Sequence, residues 1–113
     1  MSFQALGVAA RTVIDGLADG DYDAVVQICA KSRLTSDELR EVIREYGRTL
    51  VHPPADAYQH LDAVQVNGTA LPTWSVRAPL WTKEEGRSDL TLELTISLGP
   101  DEPIVELDDL HVL

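Results

Sequence analysis

WSVRAPLWTKEEGRSDLTLELTISL, residues 74–98, decides how this chain folds. Leu90, Leu92, Leu94, Ile96 and Leu98 alternate without a break with Thr91, Glu93, Thr95 and Ser97. That is the period of a strand with one dry face and one wet face. Upstream, Trp74, Val76, Ala78 and Leu80 share one parity, and Ser75, Arg77, Pro79 and Trp81 share the other. The intervening TKEEGRSD is polar and contains a glycine, as a hairpin connection requires. Pairs across a hairpin must share a face. Leu80 then meets Leu90, Val76 meets Leu94, Trp74 meets Ile96, and Arg77 meets Glu93. A shift of two residues keeps the faces but loses the opposite charges across the ladder, worth roughly 0.2–1 kcal/mol. Pro79 lacks a backbone donor and belongs at an edge or a bulge.

Working outward, Phe3, Leu6, Ala10, Val13, Ile14 and Leu17 recur at helical spacing and predict a helix over about Phe3 to Ala18. Asp19-Gly20-Asp21 breaks it, and Asp21 is suited to cap a second helix, about Tyr22 to Lys31, that buries Val25, Val26, Ile28 and Cys29. Thr35 three residues before Glu38 is a capping box, and Gly47 suits the other end of that third helix. Pro53-Pro54 keeps His52 extended within a linker over residues 48–60. Leu61 to Val66 reads as a strand ended by Asn67-Gly68, with Val64 and Val66 inward, and Pro103 to Val112 reads as the last strand. The chain is thus one α+β domain over residues 1–113, with helices in about 3–47 and the sheet in 61–113. Its expected form is three N-terminal helices packed on one face of a curved four-stranded antiparallel meander.

The net charge of −10 is uneven. Residues 1–51 hold eight acids and six bases; residues 52–113 hold eleven acids and three bases. Such a field disfavours nucleic acid and anionic membrane and suits a basic protein partner. No apolar run approaches the ~18 residues of a membrane helix. A single cysteine, Cys29, in an apolar helical setting, points to a buried inert thiol and a reducing cytoplasm.

The helix–helix–helix–sheet order, with ADGDYDAVV between two helices, resembles the NTF2-like (cystatin-like α+β) superfamily. The phrases EYGRTLVHPP, WSVRAPLWTKEEGRSDLTLEL and DDLHVL resemble an uncharacterised family of small bacterial proteins common in actinobacteria. The first resemblance implies a cone with a pocket between sheet and helices, and a homodimer through the sheet. It implies no single activity, because such folds host isomerases, dehydratases and binding modules alike.

Asp109 and His111 are the catalytic candidates, since residues two apart on a strand share a face. Without a bulge both face inward, where burial would shift their pKa values for acid–base work. A β-bulge at Asp108-Asp109 instead turns Leu110 and Val112 inward and leaves the pair on the surface. The two apolar residues regained favour the bulge, and a surface His111 would titrate near ~6.5. His52, His60 and His111 are scattered and no metal-binding spacing is present, so no metal or other cofactor is expected. Trp81, ringed by charge, has the composition of an interface anchor. Glu84, Glu85, Asp101, Glu102 and Asp108 would form an acidic field beside it. Together these residues suggest a non-enzymatic binding protein for a basic partner, immunity-like in the special case. The alternative is a pocket enzyme of isomerase or dehydratase type, or a small-ligand binder, using Asp109 and His111.

Overall fold

A computed structural model describes residues 2–59 and 61–113, with the side chains of Ser2 and Phe3 outside the description. The expected inward place of Phe3 and the position of His60 therefore lie outside the described residues. Three helices come first: α1 (Ser2–Ala18), α2 (Tyr22–Ile28) and α3 (Ser36–Tyr46). Their sequence stripes become the core, with Leu6, Ala10, Val13, Ile14 and Leu17 of α1 all sealed from solvent. The capping box forms: the Glu38 N–H donates to Thr35 Oγ1 at 3.1 Å, and the Thr35 N–H donates to Glu38 Oε1 at 3.0 Å. Gly47 closes α3 in the left-handed region at φ 74°.

Asp21 stands at the N-cap of α2, but its side chain caps nothing; its carbonyl accepts from Val25 instead. Helix α2 also stops at Ile28, earlier than expected, and Ile28 is exposed while Val25 and Cys29 are buried. The reason is the next element. Lys31–Ser32 forms a short strand, β1, parallel to the last strand of the sheet.

The remaining strands are β2 (Leu50–Val51), β3 (Asp62–Val66), β4 (Thr73–Thr82), β5 (Gly86–Leu98) and β6 (Pro103–Val112). The order is β1-β6-β5-β4-β2, and β3 pairs with the same strand, β4, that β2 borders. The sheet is therefore six-stranded and mixed, where four antiparallel strands were expected. The linker also holds β2 and a 3-10 turn, Ala55–Gln59.

The register of β4 against β5 is the expected one from Thr73 to Pro79, with Val76 opposite Leu94 and Trp74 opposite Ile96. A bulge then intervenes after Pro79, so Leu80 and Leu90 are both buried without forming a register pair. In that bulge the Ser88 hydroxyl donates to the Leu80 carbonyl at 2.8 Å and accepts from the Leu90 N–H at 3.2 Å.

One strand has its faces reversed relative to expectation. Ala63 pairs with Val76 and faces inward, which turns Val64 and Val66 out, and Val64 is 63% exposed. Leu61 and Ala63 pack on the core, and with a period of two their placement sends the valines outward.

Candidate functional site

The three helices cover the inner face of the sheet, so the outer face is open. Paired residues share a face, and the ladder of strands arranges the outer side chains in rows. One row runs Asp62, Arg77, Glu93 and Asp109; the next adds Pro79, Thr91 and His111.

The second row depends on a bulge. Strands β5 and β6 pair as Leu94 with Leu107 on one side and Glu93 with Asp109 on the other, leaving Asp108 as the extra residue. Leu107 and Leu110 both point inward and are buried, although they are three residues apart on one strand. Their placement turns Asp109 and His111 outward, onto the face of Glu93. Asp108 is held there as well, its Oδ2 accepting from Thr95 Oγ1 at 2.6 Å.

The result is a compact cluster. His111 Nε2 makes a close hydrogen bond with Glu93 Oε2 and lies 3.9 Å from Asp109 Oδ2. The other ring nitrogen, Nδ1, lies 3.4 Å from the Val112 carbonyl oxygen. Asp109 Oδ1 accepts from the Leu110 N–H at 2.8 Å, which fixes the carboxylate and leaves Oδ2 for the imidazole. Surface placement does not leave His111 at its ordinary pKa. The Glu93 hydrogen bond raises it, against a smaller opposing effect of desolvation, with Asp109 adding to the rise. Arg77 lies opposite Glu93 as the register required, but no ion pair joins them among the described residues. Glu93 turns to His111 instead.

The other candidates fall into two groups. Glu84 and Glu85 serve the fold: Glu84 accepts from the Thr49 N–H and hydroxyl, both at 2.9 Å, and these bonds hold its pKa below the ordinary value. Glu85 accepts from Tyr46 at 2.9 Å and from the Thr82 hydroxyl at 3.1 Å. Asp101 and Glu102 are exposed in the turn before β6, and Glu106 and Asp108 are half-buried along that strand. Trp81 is half-buried on β4 and shares a cleft of about 380 Å³ with Arg77, Arg87, Asp56 and Asp62. Its charged neighbours there are thus two arginines and two aspartates, and none of Glu84, Glu85, Asp101, Glu102 and Asp108 lines the cleft.

His52 is separate from all of these, with Nδ1 3.4 Å from Asp15 Oδ1 and Nε2 2.6 Å from Asp19 Oδ1. A larger cavity, about 520 Å³, lies between α1 and the 3-10 turn and is lined by Leu6, Gly7, Arg11 and Tyr58. Neither Asp109 nor His111 lines it. No helix among the described residues is long and apolar enough to cross a membrane.

Glu93 is the site residue that sequence reasoning did not single out. Its signal was present in the Leu90–Leu98 alternation and in the bulge expected at Asp108-Asp109, which together bring Glu93 beside Asp109.

No curated protein and no solved structure matches the chain. The model of one family does match, over residues 14–113. The chain belongs to that family, the domain of unknown function DUF7668.

Proposed function

We propose that this protein is a non-enzymatic binding protein whose open sheet face engages a basic protein partner. The observation that carries this reading is the run of acids along β6 and its leading turn. Glu106 and Asp109 lie on the face of Thr95 and Glu93, opposite the buried Leu107 and Leu110, with Asp108 at the bulge between them and Asp101 and Glu102 in the turn before the strand. Lys31 of β1, beside Glu106, is the basic residue paired with that strand. A cationic protein meeting such a stripe is steered toward it, and the gain fades as the Debye length falls below ~8–10 Å. Trp81 on the same face supplies apolar area that slows dissociation. An immunity-type role, masking a basic toxin, is the special case the charge suits by analogy.

A pocket enzyme, or a small-ligand binder, would need Asp109 and His111 in an apolar cavity. Their place on the open face favours the binder. The NTF2-like resemblance offers a second copy of this chain as the rival occupant of the same face.

Paired-bait capture from the native lysate tests the proposal. The baits are the wild type, Trp81→Ala, and a variant carrying Asp101→Lys, Glu102→Lys and Glu106→Lys. At low salt the wild type should retain a stoichiometric basic protein, and the lysine variant should retain at least tenfold less. Trp81→Ala should release it faster. Equal retention by the wild type and the lysine variant contradicts the proposal. So does a wild type that retains nothing and elutes from a sizing column as a dimer.

A further inference from the structure

Two carboxylates directly opposite each other on neighbouring strands repel, and the pair costs stability unless a cation lies between them. Glu93 and Asp109 are such a pair. The bulge at Asp108 places them there and adds His111, so that one ligand atom from each residue lies within 4.8 Å of the others. We propose that Glu93, Asp109 and His111 bind a divalent transition-metal ion that accepts nitrogen and oxygen ligands, zinc above all. The inference goes beyond the partner reading and stands whether or not that reading holds.

The geometry supports it in three ways. An ion with bonds of ~2.0–2.2 Å keeps its ligand atoms roughly 3–3.5 Å apart. The present spacings bracket that range: His111 is in hydrogen-bond contact with Glu93 and 3.9 Å from Asp109. Side-chain rotation alone is needed to open the first and close the second.

Next, the ring is already oriented as metal-bound histidines are. Nδ1 faces a backbone carbonyl while Nε2 faces both carboxylates. When the ion enters, the Nε2–H bond breaks, the proton goes to solvent and the Nε2–metal bond forms, leaving two carboxylates and a neutral imidazole around a 2+ charge.

Last, the surrounding charge favours a cation. The chain carries −10, and Glu106 and Asp108 lie on the same strand. Arg77, the opposing charge across from Glu93, lines the Trp81 cleft instead. Three protein ligands leave positions for water or for a donor atom from another molecule.

The other histidine cluster shows what a metal site is not. His52 contacts Asp15 through one nitrogen and Asp19 through the other. Each carboxylate meets a different ring nitrogen, so no single nitrogen faces both, as Nε2 of His111 does.

Titrating the metal-free full chain with Co²⁺, followed by visible absorption, gives the stoichiometry. Mn²⁺ broadening of backbone amide signals gives the place. One equivalent should bind, with broadening centred on Glu93, Asp109 and His111. His111→Ala and Glu93→Gln should each weaken binding at least tenfold, and the double variant His52→Ala, His60→Ala should bind as the wild type does. Glu93→Gln and Asp109→Asn preserve shape on an open face, so they read out the site even if His111→Ala folds poorly. Broadening centred elsewhere, ligand variants that bind like wild type, or no saturation by about 1 mM ion overturns the inference.

Discussion

Tyr58 carries a hydroxyl that is buried and finds no hydrogen-bond partner among the described residues. Burial, with the charge of Asp15 adding to it, pushes its pKa up to about 12. An unsatisfied buried polar group costs ~1–3 kcal/mol of desolvation. Tyr58→Phe should therefore leave stability unchanged or raise it by up to about 1 kcal/mol in urea melts. A clear loss would mean that the hydroxyl is satisfied after all. His52 works in the opposite sense, as a group whose charged form is favoured by folding. The Asp19 hydrogen bond raises its pKa above the usual ~6.5, with the charges of Asp15 and Asp19 adding to it. The stabilisation is fully present below the unfolded value and is lost as pH rises through the raised folded one. His52→Ala should thus lower the urea midpoint more at about pH 5.5 than at about pH 9. Equal losses at both pH values would remove the linkage. Neither residue's partner was legible in the sequence, because Tyr58 meets Arg11 and His52 meets Asp19 only once α1 and the linker pack. Glu93 was half-legible, since its face could be read but its preference for His111 over Arg77 could not.

At the scale of elements, the helices with strong stripes were readable and the short pieces were not. A two-residue strand such as β1 or β2 has no periodicity to detect, so the sheet was expected to be narrower than it is. Strand β3 failed differently. DAVQV offers both parities, and only the docking of Leu61 decides between them. Helix α1 conceals one further packing device in Gly16. A Cβ there would stand 2.6 Å from Val25 Cγ2, and Val25 is fully buried. Helix propensity alone says that Gly→Ala in a helix interior gains ~1 kcal/mol. Here the close approach of α2 should reverse the sign, and Gly16→Ala should cost ~1–3 kcal/mol, as overpacking does. A raised melting temperature for Gly16→Ala would show that α2 yields easily and that this contact is loose.

For the whole molecule, the α+β class followed from the central hairpin, because a strand with one dry face needs the helices to cover it. The bulge followed from simple counting: an unbroken β6 would bury Asp109 and His111 and expose Leu110. Which acids would be occupied by the fold did not follow, because Glu84 and Glu85 lie 35 and 39 residues from their partners Thr49 and Tyr46. Both the acidic stripe and the Glu93–Asp109–His111 cluster depend on β6 switching its parity at Asp108. Substitution by alanine along β6, read in urea melts, tests that switch directly. Leu107→Ala and Leu110→Ala should each cost ~2–5 kcal/mol, as buried leucines do, while Asp109→Ala between them costs well under half as much. In a regular strand, residues three apart lie on opposite faces, so both leucines cannot be buried by the same core. A near-zero cost for Leu110→Ala, with a large one for Asp109→Ala, would put Asp109 and His111 inside and contradict the account.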